Sequence, residues 1–314
     1  MTVPAPVNSV LKTIGSTPAV RLQRLVQPGW AEVVVKLEYF NPTGSYKDRM
    51  ALAMIEGAER RGTLKPGMRV IEYTGGSTGS SLAMVCAMKG YAFHPLSSDA
   101  FSPEKLDTMR AFGADLEVIA SDGGKVTPAL FDKFKARVAE LMKEPGTFFT
   151  DQFNNADAVD GYANIGRELA KQVEHIDAFV GAVGSAGMLT GVSLALKAAG
   201  SKARIIALEP ATSPLLTTGK GGAHRVEGTA PGFWPPHLTR DLYDEARAID
   251  EAEGRAIARR AAREEGIFAG TSSGLNIAAA LQLARELGPG KTVATVAVDT
   301  GLKYLAGDLY KVAT

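Results

Sequence analysis

Apolar, strand-like runs alternate with helical patterns along most of this chain, and at four places the backbone enters a helix through a turn rich in glycine or serine. No other feature restricts the fold as much, because consecutive parallel strands need a helical crossover between them. EVVVKLEYF, RVIEY at 69–73, YAFHPLSS at 91–98 and DLEVIA at 115–120 read as strands. Between and after them lie helical patterns from Met50 to Gly62, in SSLAMVCAMKG, from an opening at Ser102 and Pro103, and around 127–143. In the second half IDAFVGAVG, RIIALEP and TVATVAV at 292–298 alternate with helices from Met188, from about Asp250 to Glu265, and from Ser273. Residues 211–240 hold several Gly and Pro with little periodicity and read as a long loop of the kind that carries function. The expectation is two open α/β sub-domains with a ligand cleft between them.

Charge and composition exclude several classes of partner. Lys plus Arg minus Asp plus Glu is 35 − 34 = +1, which gives no attraction to nucleic acid or to an anionic membrane, so the expected partners are small molecules. A single cysteine, Cys86, cannot form an intramolecular disulfide and fits a reducing compartment; it lies in the apolar run LAMVCAMKG and reads as a buried structural thiol. MTVPAPVNSV lacks the basic and apolar regions of a secretory signal, and no apolar run reaches the roughly 18 residues of a membrane span, so a cytoplasmic location is expected. His94, His175, His224 and His237 have no ligand spacing with one another or with Cys86, and no metal site is expected. Neither a G-x-S-x-G elbow nor a Gly-rich loop ending in Lys-Ser or Lys-Thr is present.

The four turns carry the candidate chemistry. NPTGSYKDR at 41–49 sets Lys47 between a strand and the first turn of a helix. An amine is a nucleophile only when neutral, and both desolvation and the positive end of a helix favour that form; the alternative is a solvated lysine at a helix start. In EYTGGSTGSS at 72–81, Gly75, Gly76 and Gly79 allow close backbone approach and the following helix offers free N–H groups, which suits a carboxylate or a phosphate as well as a tight connection. GAVGSAGMLTG at 181–191 can present the amides of Gly184, Ser185, Ala186 and Gly187 to a phosphate. Glu209, at the end of RIIALE, imitates a ribose-binding acid, but glycines at 181, 184 and 187 do not form G-x-G-x-x-G. In GIFAGTSSGLN at 266–276, Ser272 and Ser273 read as N-caps or as hydroxyls for a heterocyclic nitrogen.

Together these residues resemble the pyridoxal-phosphate enzymes of the cysteine synthase and cystathionine β-synthase family, over nearly the whole chain and in order. IGSTPAV at 14–20 is similar to the family's I-G-N-T-P-L-V, and NPTGSYKDR to N-P-T-G-S-V-K-D-R. YTGGSTG stands for T-S-G-N-T-G, DQFNN at 151–155 for N-Q-F-x-N, VGSAGMLTG for G-T-G-G-T, and AGTSSG for G-I-S-S-G.

The resemblance implies a fold type II, tryptophan synthase β-like enzyme, with residues 41–150 in the smaller sub-domain and 1–40 plus 151–314 in the larger. It implies pyridoxal 5'-phosphate as a Schiff base on Lys47, with Ser77 beside the cofactor, residues 184–188 (Gly184, Ser185, Ala186, Gly187 and Met188) on its phosphate, and Ser272 facing the pyridine nitrogen. Thr74, Gly75, Gly76, Thr78 and Gln152 would bind the substrate carboxylate. Lys47, displaced by the substrate amine, would act as base at Cα.

The implied reaction is β-replacement on an activated serine such as O-acetylserine, by way of an aminoacrylate. Sulfide or a thiol would add, giving cysteine or another β-substituted alanine, and the implied enzyme is a homodimeric transferase. Four departures bear on the substrate: Ser77 replaces the family's asparagine, Gly75 its serine, Met188 a phosphate-loop threonine, and Tyr46 the valine before the lysine. Two alternatives stand beside this reading: serine or threonine β-elimination, and a catalytically silent cofactor-binding regulator.

Overall fold

The computed structural model describes residues 5–124 and 127–311; residues 1–4, on which part of the signal-segment reading rests, lie outside the described residues. Along the chain come β1 (Ala19–Arg21), β2 (Glu32–Leu37), α1 (Lys47–Arg61), β3 (Arg69–Tyr73), α2 (Ser77–Lys89), β4 (Ala92–Ser98), α3 (Pro103–Ala111), β5 (Glu117–Ile119) and α4 (Pro128–Leu141). There follow β6 (Thr147–Phe149), α5 (Ala156–Gln172), β7 (Ala178–Ala182), α6 (Gly187–Ala198), β8 (Arg204–Pro210) and α7 (Leu215–Thr218). The last elements are β9 (Glu245–Ile249), α8 (Glu251–Arg260), α9 (Thr271–Leu287) and β10 (Thr292–Ala297).

The chain divides into two compact units, Met1–Ile14 with Asn41–Gly161, and Gly15–Phe40 with Tyr162–Thr314. In the smaller, four strands pair in parallel in the order β5-β4-β3-β6. Its apolar core includes Ile71, Leu96, Leu130 and Phe134, and the Tyr73 ring stacks on Phe134, Phe149 and Phe153 at centroid distances of 5.8, 5.9 and 6.3 Å. In the larger unit six strands take the order β1-β2-β10-β7-β8-β9, all parallel except the β1–β2 pair. Strands buried on both faces read as continuous apolar runs, and β7 and β10 do so.

The boundary at Asn41 coincides with the expected 41–150, but the smaller unit runs on to Gly161 and also takes in Met1–Ile14. The opening turns of α5 pack on α1: a Cβ on Gly161 would lie 2.6 Å from the Arg49 carbonyl oxygen, and Asp157 pairs with Arg61 at 2.5 Å. That packing keeps 151–161 with the smaller unit, which also takes in the short 3-10 turn Val10–Thr13. Three strands without a mark in the sequence reading, β1, β6 and β9, are all sheet edges of three to five residues. Helix α5 is disguised by Gly161 and Gly166, which lower helix propensity but let neighbouring backbone approach.

Four helices begin earlier than their apolar periodicity suggests. α1 opens at Lys47 rather than Met50, α2 at Ser77 rather than Ser80, α6 at Gly187 rather than Met188, and α9 at Thr271 rather than Ser273. The added residues are mostly polar or glycine and carry no periodic signal, so pattern alone cannot include them. Conversely EYF, expected to end a strand, forms the 3-10 turn Glu38–Phe40. Cys86 is fully buried in α2, where burial pushes its thiol up to about 12. Among the described residues no helix is long and apolar enough to cross a membrane, and no group of three or more His, Cys, Asp or Glu is placed to hold a metal ion.

Candidate active site

In the smaller unit the lysine turn is held by its own polar side chains. The Gly44 amide donates to the Asn41 carbonyl at 2.7 Å, and the buried Asp48 carboxylate accepts from the Thr43 amide at 2.8 Å and from its hydroxyl at 2.5 Å. Asp48 also suits the positive end of α1. Lys47 is thereby fixed as the first residue of that helix; its amide donates to Ser45 Oγ at 3.2 Å, and the side chain is half-buried. Its Nζ stands 5.2 Å from the centroid of the buried Tyr46 ring, within the range of a cation–π contact.

The second turn leaves β3 at Tyr73 and enters α2 without a side-chain cap. Thr74 organises it: its Oγ1 accepts from the amides of Gly76 and Gly79 at 3.1 and 3.2 Å, and its carbonyl accepts from Ser97 Oγ at 2.7 Å. Gly76 has φ +151°, a conformation that side chains resist. Ser77 and Thr78 are the first two helical residues, so their amides have no acceptor within the helix.

Gln152 belongs to the same unit. Its Oε1 accepts from Thr78 Oγ1 at 2.8 Å and its Nε2 donates to the Tyr73 carbonyl at 3.1 Å, so the loop holding 74–78 is tied across its mouth. Two residues absent from the sequence reading hold Gln152 in place. The Glu72 carboxylate, fully buried, accepts from Thr150 Oγ1 at 2.6 Å and from the Gln152 amide at 3.0 Å, on either side of Asp151 with its φ of +50°. Burial pushes the Glu72 carboxyl up to about 8, although all its donors favour the charged form. A glutamate inside the apolar run RVIEY was the one signal that could have revealed it.

In the larger unit β7 runs into α6 through residues 183–186. The Val183 amide donates to the Leu208 carbonyl and its own carbonyl accepts from Ala230, at 2.9 and 2.8 Å. A Cβ on Gly184 would lie 2.2 Å from the Gly228 carbonyl oxygen, so only glycine fits there. Ala186, with φ +66°, is the N-cap of α6 and gives it no side-chain cap. The Met188 methyl lies against Gly181, so residue 188 offers only its amide. Amides at a helix start, with a cradle that excludes side chains, fit a phosphate group, and a half-buried amine at a helix N-terminus fits a carbonyl group.

At α9 the N-cap is Gly270, not a serine, because Ser272 and Ser273 lie inside the first turn. Ser273 Oγ accepts from the Val298 amide at 2.8 Å. Ser272 is 4% exposed and is fixed by the helix itself. Both units thus carry their share of the expected residues, Lys47, 74–78 and Gln152 in one, 184–188 and Ser272 in the other.

Comparison with known proteins matches residues 10–299 to the family described as pyridoxal-phosphate dependent enzyme. A cysteine synthase of Staphylococcus aureus is 43% identical over 308 residues, covering 97% of each chain. The O-ureido-L-serine synthase of Streptomyces lavendulae is 38% identical over 310 residues, 96% of this chain and 92% of the other. Among solved structures, O-acetylserine sulfhydrylase isoform 3 from Entamoeba histolytica aligns with a TM-score of 0.91 at 33% identity, covering 100% of this chain and 96% of that one.

Proposed function

This chain belongs to the pyridoxal-phosphate dependent enzyme family, and from that premise we propose that it performs β-replacement on an O-substituted L-serine, with sulfide or a small thiol as the incoming nucleophile. The observation that carries the reading is the placement of Lys47 as the first residue of α1, half-buried beside Tyr46, in a unit whose next turn opens α2 on bare amides. Similarity to cysteine synthase and to O-ureido-L-serine synthase supports the substrate class.

Lys47 Nζ would hold the cofactor, the amides of 184–188 would take its phosphate, and the Ser272 hydroxyl would serve its ring nitrogen. Pyridoxal phosphate supplies an electron sink for the pair left at Cα. A hydroxyl at Ser272 does not stabilise a protonated ring nitrogen as a carboxylate would, which moderates that sink and favours departure of a Cβ substituent. Lys47, released by the substrate amine, takes the Cα proton on Nζ. The amides of Gly75, Ser77 and Thr78, in a turn whose Gly76 amide is held by Thr74, would receive the substrate carboxylate together with Gln152 and fix Cα against the amine. The same family resemblance supports a homodimer working on small molecules in the cytoplasm.

A screen of O-acetylserine, O-ureidoserine, O-phosphoserine, serine and threonine, each with and without sulfide, tests the proposal. Sulfide-dependent formation of a β-substituted alanine from one O-substituted serine is expected. Keto acid released from serine or threonine alone would favour elimination, and no response to any amino acid would favour a silent regulator.

A further inference from the structure

The three glycines of the 74–79 turn are covered by one face of a single segment. A Cβ on Gly75 would lie 2.5 Å from Phe101 Cε1, one on Gly76 2.2 Å from Lys105 Cδ, and one on Gly79 2.2 Å from Met109 Sδ. Residues 101, 105 and 109 are spaced four apart, the repeat that brings side chains to one side of a helix, and the last two lie in α3. Real Cβ atoms do not approach closer than about 3 Å, so each glycine marks a place where this face has taken the volume of a side chain.

Gly75 is the telling member. Its φ is not positive, so its backbone does not demand glycine. What demands it is the Phe101 ring, half-buried and packed against the core that holds Tyr73 and Phe134. A ring turns about only two side-chain bonds and so gives way less readily than a flexible chain such as that of Lys105 over Gly76.

We propose that Phe101 is a specificity-determining, positioning residue of the substrate loop: its ring fills the space of a side chain at position 75, so that the substrate carboxylate meets backbone amides there and no side-chain hydroxyl. The inference rests on the functional reading above and deepens it. Positions 75 and 101 then form one unit, and a hydroxyl can be added at 75 only if the ring is removed.

The test is a double-mutant cycle on the holoenzyme with Gly75→Ser, Phe101→Ala and the pair, together with Phe101→Leu as an apolar control. KM and kcat are measured for the O-substituted serine that the wild type turns over, and thermal midpoints are measured with the cofactor removed. Gly75→Ser alone is expected to lower the midpoint and raise KM about tenfold with kcat little changed, and the pair to recover KM to within about threefold of wild type. Phe101→Leu should fold normally and raise KM by less than Gly75→Ser. Midpoints and KM values that simply add across the cycle would overturn the role of Phe101 while leaving the function intact. Absence of turnover of every O-substituted serine by the wild type would instead overturn the functional reading, and the role of Phe101 with it.

Discussion

Thr78 donates its hydroxyl to Gln152 Oε1 at 2.8 Å, joining the first turn of α2 to the turn after β6. Both side chains are buried, so neither can exchange this bond for water without opening the loop. Thr78→Val keeps the shape and removes the donor. We expect it to cost about 1–3 kcal/mol of stability in denaturant titrations, the usual cost of a buried unsatisfied acceptor. In steady-state kinetics it should raise KM for the amino-acid substrate more than it changes kcat.

Glu72 makes the stability of the smaller unit depend on pH. Its folded value of about 8 lies above the ordinary 4.5, so the folded state holds a proton that the unfolded state releases. The contribution is therefore complete below about 4.5 and is lost as the pH rises through about 8, on the order of 5 kcal/mol across that window. Denaturation midpoints should fall from pH 5 to pH 8 in the wild type and stay nearly level in Glu72→Gln, at a lower maximum. A Glu72→Gln profile parallel to the wild type would assign the slope to other groups.

Gly184→Ala places a methyl against the Gly228 carbonyl oxygen, a backbone atom that cannot swing aside. Overpacking of this kind costs about 1–3 kcal/mol. If 184–188 hold the phosphate, equilibrium dialysis should show pyridoxal phosphate bound roughly tenfold more weakly, and excess cofactor should restore part of the activity.

Lys47→Ala removes the proposed cofactor anchor and the proton carrier together. The purified variant should lack the visible absorption of the wild-type holoenzyme and have no measurable turnover, with a thermal midpoint close to that of cofactor-free wild type. Wild-type absorption retained in the variant would transfer the anchor to another amine.

The alternation of strands and helices, the lysine at a helix start and the glycine turns were legible in the sequence, because each depends on residues close together in the chain. Alternation of apolar runs reports βαβ units, and Gly or Pro reports the turns. The helix starts were not legible to within a turn, since Lys47, Ser77 and Thr271 add no apolar periodicity. The edge strands β1, β6 and β9 were missed for a similar reason: the first two have only three residues, and in β9, EARAI, charged residues break the apolar run.

What the sequence determined by itself was therefore the α/β class, the family motifs and the identity of the candidate anchor Lys47. Tertiary structure alone decided which groups hold the 74–79 turn: Glu72 across 78 residues to Thr150, Gln152 across 74 residues to Thr78, and Phe101 on Gly75. A hydrogen bond or a steric limit between residues far apart in the chain leaves no local trace, because either partner alone is compatible with many surroundings. Only when folding removes water and fixes the neighbours does a glutamate become a clamp, or a phenylalanine the reason for a glycine.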